Sequence, residues 1–148
     1  MSDSYDNLKI ENQICFPLYA CAKEVTRRYK PLLDKLDLTY TQYIVMMVMW
    51  EYKKMNVKEL GEKVYLDSGT LTPLLLKLEA KGFVAFKTDA KDKRKQRIVL
   101  TKKCMNFCAK NDDVGKDVME KMFAGIPEKD INKTIQTIMK IESNMKEE

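Results

Sequence analysis

Cysteine is the residue in this sequence most able to do chemistry. The chain has four cysteines, Cys15, Cys21, Cys104 and Cys108, and no histidine. Without histidine it lacks the usual general base for a serine or cysteine nucleophile and the commonest metal ligand. The cysteine spacing matches no common structural zinc motif. We therefore expect no metal, no cofactor and no hydrolase chemistry, which leaves the chemistry of a thiol.

Cys15 lies on the apolar stripe of a predicted amphipathic helix, in which apolar residues recur at three- and four-residue steps from Leu8 to about Tyr29. Pro17 interrupts the stripe, so the helix is either kinked there or begins near Phe16 with Pro17 in its first turn. A thiolate reacts with peroxide far better than a thiol does, so a sensor cysteine needs its negative charge stabilised. A helix that begins near Pro17 would place Cys15 at the positive end of the helix dipole.

The elements that would position these groups have clear start signals. Thr39 with Gln42 is typical of a capping box that opens a helix, and Asn56 with Glu59 is a second helix start signal. The first of these helices contains residues 43–50, which are apolar nearly all round. This pattern predicts a helix buried at the centre of the domain.

The second start signal begins a helix pair that is followed by a ribbon. Residues 65–69 break the pair, and the second helix, from Ser68 to Lys81, ends at Gly82, which can adopt the left-handed conformation. Two β-type runs then flank a charged stretch, at residues 83–86 and 98–100. The predicted fold is mainly α, a winged helix-turn-helix with a two-stranded β wing.

The first turn of the second helix carries side chains suited to DNA. Ser68, Thr70 and Thr72 offer hydroxyls to base edges or phosphates of a major groove, and Lys77 could reach a phosphate. The alternative is that Asp67 or Ser68 only caps the helix and the threonines are only solvated.

The tip of the predicted wing is a local cluster of positive charge in a chain whose net charge is only +5. Residues 87–97 hold six basic side chains against two acidic ones. The Asp92 carboxylate could hold the side chain of Arg94 extended, so that Arg94 enters a narrow minor groove. Lys93 lies next to Arg94 in this tip. A charge run elsewhere is usually a solvated surface, but here it follows a helix-turn-helix directly.

Both ends of the chain predict helices that pair with a second subunit. Pro31 indicates a break followed by a short helix over residues 32–36, and Thr101 caps a helix that reaches roughly to Met122. Pro127 begins the last helix, which has one strongly apolar face: Ile131, Ile135, Ile138 and Met139. These faces predict a symmetric homodimer. We thus expect a single domain over residues 1–148, with dimerisation helices at 8–36 and 102–146 around a DNA-binding part at 39–101.

Several runs resemble the MarR family of winged-helix regulators: KELGE at 58–62, LDSGTLTPLL at 66–75, KLE at 77–79 and DKR at 92–94. More narrowly, three further runs are similar to its organic-peroxide-sensing branch, the OhrR repressors: ENQICF at 11–16, YKPLLDKL at 29–36 and LTYTQY at 38–43. The likeness spans residues 8 to about 101 and fades to a general helical pattern beyond them.

The resemblance implies roles for one cysteine and three tyrosines of this chain. In that branch an organic hydroperoxide oxidises one N-terminal cysteine to a sulfenic acid, and the repressor then leaves its operator. Cys15 takes this position, and Tyr19 of the same subunit with Tyr29 and Tyr40 of the partner are the tyrosines that hydrogen-bond it. Tyrosine hydroxyls can donate to a thiolate without adding charge.

The other cysteines have less specific interpretations. Cys21 lies six residues after Cys15, on a different helix face, and we interpret it as a core residue. Cys104 and Cys108 share one face of the helix after the wing. They could trap an oxidised Cys15 as a disulfide if a dimer brought them within about 7 Å between Cα atoms, but burial is the simpler interpretation.

The sequence therefore predicts a repressor that binds a palindromic operator in double-stranded DNA as a dimer and is induced by organic hydroperoxide. It is expected to be cytoplasmic and not to bind a membrane, because no targeting or membrane-spanning pattern is found. Two regulatory alternatives stay open: release by a small aromatic ligand, and a global regulator that answers thiol oxidation. A thiol peroxidase with Cys15 as its nucleophile belongs to another class, and only turnover would distinguish it from a sensor.

Overall fold

The computed structural model describes residues 6–146, which contain seven α-helices and a small antiparallel sheet. In chain order the elements are α1 (Cys15–Asp34), α2 (Tyr40–Tyr52), β1 (Lys54–Asn56), α3 (Val57–Val64), α4 (Ser68–Ala80), β2 (Val84–Thr88), β3 (Gln96–Leu100), α5 (Lys102–Lys110), α6 (Lys116–Met122) and α7 (Glu128–Lys146). Two short 3-10 turns, Asp6–Leu8 and Ile10–Asn12, precede α1. The described chain forms two compact units, one ending at Val114 and one beginning at Gly115. The predicted winged-helix fold is confirmed.

Helix α1 begins at Cys15, with Pro17 in its first turn, so the second of the two predicted arrangements is correct. The helix then continues through Pro31 to Asp34, and the predicted break and separate short helix are wrong. Tyr29 and Leu33 are the buried residues of α1 and lie one helical turn apart on either side of Pro31. Burial of both side chains on one face favours a continuous helix despite the hydrogen bond that proline cannot donate.

Helix α2 has the predicted capping box. The Gln42 backbone N–H donates to the Thr39 hydroxyl at 3.2 Å, and the Thr39 N–H donates to the Gln42 side chain at 3.0 Å. The expectation of burial all round is wrong, because Met47 is 49% exposed and Trp50 is 41% exposed. Periodicity identifies the apolar faces of a helix but not which of them meets another element of the same chain.

Helices α3 and α4 form the predicted helix-turn-helix. Asn56 and Glu59 make the second capping box, and Tyr65 ends α3 in the left-handed conformation with φ of 58°. The turn needs glycine at residue 61, since a Cβ there would lie 2.8 Å from the Leu66 carbonyl oxygen. Helix α4 ends before Gly82, whose φ of 76° confirms the predicted left-handed stop.

The sheet has three strands rather than the predicted two, in the order β1-β3-β2. Strands β2 and β3 form the predicted wing hairpin, with Val84 opposite Leu100. Strand β1 pairs antiparallel with β3, so that Met55 lies opposite Ile98. It is too short to show an alternating pattern, and only its tertiary pairing defines it.

The helix after the wing is shorter than predicted. Thr101 caps α5 as expected, but the helix ends at Lys110 and α6 begins only at Lys116. Asn111 begins a run of polar residues that favour turns, and its side-chain amide donates to the Phe107 carbonyl at 2.8 Å. The last helix follows Pro127 as predicted.

Helix α7 keeps its apolar face exposed. It has no buried residue, and Met139 on that face is 63% exposed. Between residues 6 and 146, no helix is long and apolar enough to cross a membrane.

Candidate DNA-binding and redox sites

Helix α4 presents the predicted hydroxyl side chains on its exposed surface. The Asp67 carboxylate caps the helix by accepting the Thr70 backbone N–H at 2.8 Å. Since Asp67 provides the cap, Ser68 is not needed for it, and the hydroxyls of Ser68, Thr70 and Thr72 make no hydrogen bond to another described residue. Lys77 is exposed two turns after Thr70. The opposite face is anchored in the core by four leucines, Leu71, Leu74, Leu75 and Leu78.

The wing tip joins β2 to β3 through residues 89–95 and is largely exposed. The Asp92 carboxylate accepts the Arg94 backbone N–H at 3.0 Å and its Nε at 3.3 Å. The Arg94 side chain is nevertheless 91% exposed, and Lys93 beside it is also exposed. A carboxylate thus orients a guanidinium that projects into solvent from the end of a hairpin, as an arginine that enters a groove requires.

A second carboxylate in the wing was missed by the sequence reasoning. Asp89 accepts the Lys91 backbone N–H at 2.8 Å and the Arg97 Nε at 3.1 Å, and these contacts hold the pKa of Asp89 below its usual value. The pair joins the two ends of the tip. The sequence could have predicted this pair, because Asp89 and Arg97 carry opposite charges and flank the turn at the strand ends.

Cys15 is the first residue of α1 and is exposed. Ile14, the residue before it, supplies no side-chain cap. Tyr19 lies one turn further along α1 and is 63% exposed. Within residues 6–146 no hydrogen bond or ring contact joins the Cys15 thiol to Tyr19, Tyr29 or Tyr40.

The predicted tyrosines Tyr29 and Tyr40 lie together, in one cluster with Tyr43. The ring centroids are 5.3 Å apart for Tyr29 and Tyr40 and 5.6 Å apart for Tyr29 and Tyr43. Burial raises the pKa of all three phenols, so they stay protonated and able to donate at neutral pH. Tyr43 was not singled out from the sequence, although it follows Tyr40 by three residues on the same helix.

Helix geometry separates this cluster from Cys15 of the same chain. Tyr29 follows Cys15 by fourteen residues in α1, which is about 21 Å along the axis at 1.5 Å per residue. Within one chain, Tyr29 is therefore out of contact with the Cys15 thiol.

The interpretation of Cys21 as a core residue is wrong, because Cys21 is exposed. The first half of α1 has no buried residue, and Ile14 and Phe16 on its apolar stripe are 58% and 49% exposed. The predicted apolar stripe is present, but the described chain leaves it exposed to solvent.

Cys104 and Cys108 lie on α5, with their sulfur atoms 3.9 Å apart. Cys104 is fully buried, whereas Cys108 is partly exposed and lines a cavity of about 580 Å³ between α2 and α5. The hydrogen bond from Cys104 lowers the pKa of Cys108 to about 7, against the effect of burial and with help from the Lys53 ammonium. The same pairing raises the pKa of Cys104.

A helix pair whose second helix exposes hydroxyls beside a basic hairpin defines the class of winged-helix DNA-binding regulators. The family model "Transcriptional regulator SarA/Rot" matches residues 27–111. The chain belongs to this SarA/Rot family of transcriptional regulators and has the MarR-type winged-helix fold.

Individual relatives agree with this assignment. The "Organic hydroperoxide resistance transcriptional regulator" of Bacillus subtilis is 48% identical over 101 residues, covering 68% of this chain and 69% of the relative. The regulator SarZ of Staphylococcus haemolyticus is 42% identical over 130 residues, covering 88% and 86%.

A solved structure agrees over nearly the whole chain. The crystal structure of AbfR of Staphylococcus epidermidis has a TM-score of 0.80 at 25% identity and covers 97% of each chain. A structure of reduced AbfR bound to DNA has a TM-score of 0.74 at 26% identity and the same coverage.

Proposed function

We propose that this regulator is a repressor that binds a palindromic operator as a homodimer and that organic hydroperoxide releases it by oxidising Cys15. One observation carries the redox part: the Cys15 thiol and Tyr29, a phenol suited to stabilise it, lie about 21 Å apart along one helix. In a two-fold dimer each Cys15 can instead meet Tyr29 and Tyr40 of the other subunit. The similarity to an organic hydroperoxide resistance regulator supports the same oxidant.

The DNA contacts follow from the two exposed surfaces of the winged helix. Helix α4 would enter the major groove with Ser68, Thr70 and Thr72 at base edges or phosphates and Lys77 at a phosphate. The wing would place Arg94 in the adjacent minor groove, with Lys93 near the phosphates and Asp92 holding the arginine in position. Two half-sites about one DNA turn apart would match a two-fold dimer.

The oxidation step transfers one oxygen atom. The Cys15 thiolate attacks the terminal peroxide oxygen, the O–O bond breaks, and the organic part leaves as an alcohol after taking up a proton. The sulfur becomes a sulfenic acid and is oxidised by two electrons. Cys15 is exposed to oxidant and is the first residue of α1, and the N-terminal end of a helix is the end at which negative charge is favoured.

We propose the sulfenic acid, rather than a disulfide to α5, as the first signal. Cys104 is fully buried and Cys108 is hydrogen-bonded to it, so either thiol would have to leave its partner to resolve Cys15.

The test compares two exposed cysteines of the same helix. Fluorescence anisotropy of labelled operator DNA would be followed while cumene hydroperoxide is added to the wild type, Cys15→Ser and Cys21→Ser proteins. We expect the wild type and Cys21→Ser to leave the DNA, whereas Cys15→Ser stays bound. Equal release of Cys15→Ser would contradict the assignment.

A second candidate function is release by a small aromatic ligand. The observation in its favour is the cavity lined by Trp50, Phe107 and Met46, whose volume of about 580 Å³ suits a small molecule. Alkylation of Cys15 distinguishes the ligand hypothesis from the oxidation hypothesis. If the alkylated protein keeps both its DNA affinity and its induction, the ligand hypothesis replaces oxidation.

A further inference from the structure

The cysteine pair of α5 is built differently from Cys15. The two sulfur atoms are 3.9 Å apart, with Cys104 fully buried and Cys108 facing the α2–α5 cavity. An entering molecule would therefore meet Cys108 first and find a second sulfur directly behind it.

This spacing suits a bridging atom better than a disulfide. Side chains four residues apart on a helix have Cβ atoms about 5–6 Å apart, whereas a disulfide needs about 3.5–4.5 Å. Closing an S–S bond would thus distort α5. A bridging atom would keep the two sulfurs apart, near their present separation of 3.9 Å, whereas a disulfide would draw them to about 2.05 Å, so bridging can leave the helix intact.

The number of ligands limits what the bridging atom can be. A structural zinc site needs four protein ligands, and among residues 6–146 no group of three or more Cys, His, Asp or Glu side chains is placed to hold a metal ion. A trivalent arsenic atom with one organic substituent needs only two thiolates. Its third bond carries the organic substituent, which needs an apolar space beside the two thiols.

The cavity provides an apolar place for that substituent. Next to Cys108 it is lined by aromatic and thioether side chains, namely Tyr43, Met46, Met47, Trp50 and Phe107. Its volume of about 580 Å³ falls within the range of small-molecule sites, about 300–1,000 Å³. We infer that Cys104 and Cys108 form a dithiol site for monosubstituted trivalent arsenicals, with the organic group in this cavity.

Lys53 supports the reactive form of the pair. The hydrogen bond from Cys104 and the Lys53 ammonium both lower the pKa of Cys108, and the same ammonium lies 3.8 Å from the centre of the Trp50 ring. Tyr43, whose own pKa is raised by burial and by nearby groups including Cys108, remains a neutral phenol at the cavity wall. The acidic side chains on this wall are Glu51 and Asp112.

The reaction is a condensation without a change of oxidation state. In the hydrated arsenical, arsenic carries one organic group and two hydroxyls. The Cys108 sulfur forms the first As–S bond and displaces one hydroxyl as water, and Cys104 then displaces the other. The two thiol protons leave in the two water molecules, so neither an oxidant nor a reductant is needed.

The test uses phenylarsine oxide and the full chain with Cys15→Ser and Cys21→Ser, so that only the α5 thiols remain. We expect intact-mass measurement after gel filtration in glutathione to find one phenylarsenical per chain. The emission of Trp50, the only tryptophan, should be quenched in parallel. A dithiol such as 2,3-dimercaptopropanol should reverse both effects.

Cys108→Ser in the same background is the control, because it leaves one thiol and a similar shape. We expect it to lose the arsenical at about 100-fold less glutathione, the size of effect that a second linked bond produces. Retention by Cys108→Ser, or no retention by the parent protein, would overturn the proposal. Cys104→Ala, checked for folding by circular dichroism, should also lose the arsenical; tight retention by this folded variant would exclude the two-thiol site.

Discussion

At the scale of the residue, the cysteines differ in what surrounds them. Cys15 and Cys21 are exposed on a helix half that buries nothing, whereas Cys104 and Cys108 share a hydrogen bond beside a cavity. Exposure makes the first pair accessible to oxidant. The hydrogen bond gives the second pair an acid–base asymmetry that its sequence spacing does not show.

That asymmetry predicts a pH profile for Cys108. The lowered pKa means that its thiolate persists to lower pH than that of an ordinary cysteine near 8.5. In the background lacking Cys15 and Cys21, the iodoacetamide alkylation rate should rise with pH and reach half its maximum near pH 7. Cys104→Ala removes the donor, so it should move the midpoint upward. If the midpoint is unchanged in this variant, a group other than Cys104 lowers the pKa of Cys108.

At the scale of the element, the wing is a hairpin whose tip is organised by two carboxylates. Asp89 joins the ends of the tip through Arg97, and Asp92 orients Arg94. Both pairs are at least partly exposed, so we expect them to contribute to placement more than to stability.

Arg94→Ala should therefore weaken operator binding without unfolding the protein. We expect the magnitude of the slope of log K against log salt concentration to fall by about one, because the variant loses one positive charge that displaces counterions from the DNA. Lys110→Ala, an exposed cation at the end of α5, is the matched control and should leave the slope unchanged. Anisotropy titrations at several salt concentrations measure the slopes of both variants. Equal slopes for wild type and Arg94→Ala would show that the wing does not contact the DNA.

At the scale of the whole molecule, the chain exposes apolar surface at both ends. Ile14 and Phe16 near the start and Ile135, Ile138 and Met139 near the end are all more than 40% exposed. Exposed apolar faces of this kind are usual for an interface between subunits.

Ile138→Lys tests whether the apolar face of α7 belongs to the dimer interface. A charge buried at that interface would have no partner, so we expect the dimer to dissociate at concentrations where the wild type stays dimeric. Gln136→Lys, which adds the same charge at an exposed polar position of α7, should not change the mass. Sedimentation equilibrium reads out both variants; a dimeric Ile138→Lys protein would place the interface elsewhere.

The amino-acid sequence by itself determined the local features of this protein. Four local predictions are confirmed, because each depends on neighbouring residues alone: the capping box at Thr39, the helix start at Asn56, the glycine stop at residue 82 and the proline in the first turn of α1. The order of these elements was enough to predict the winged helix.

Only the tertiary structure decided which apolar faces are covered and which side chains from distant elements meet. Strand β1 exists because it pairs with β3, and α1 runs through Pro31 while Tyr29 and Leu33 are buried. The pKa of Cys108 is lowered mainly by Cys104, and Lys53, which is distant in sequence, adds to this effect. These outcomes depend on long-range packing and electrostatics, whose free energy is set by spatial neighbours and not by spacing along the chain.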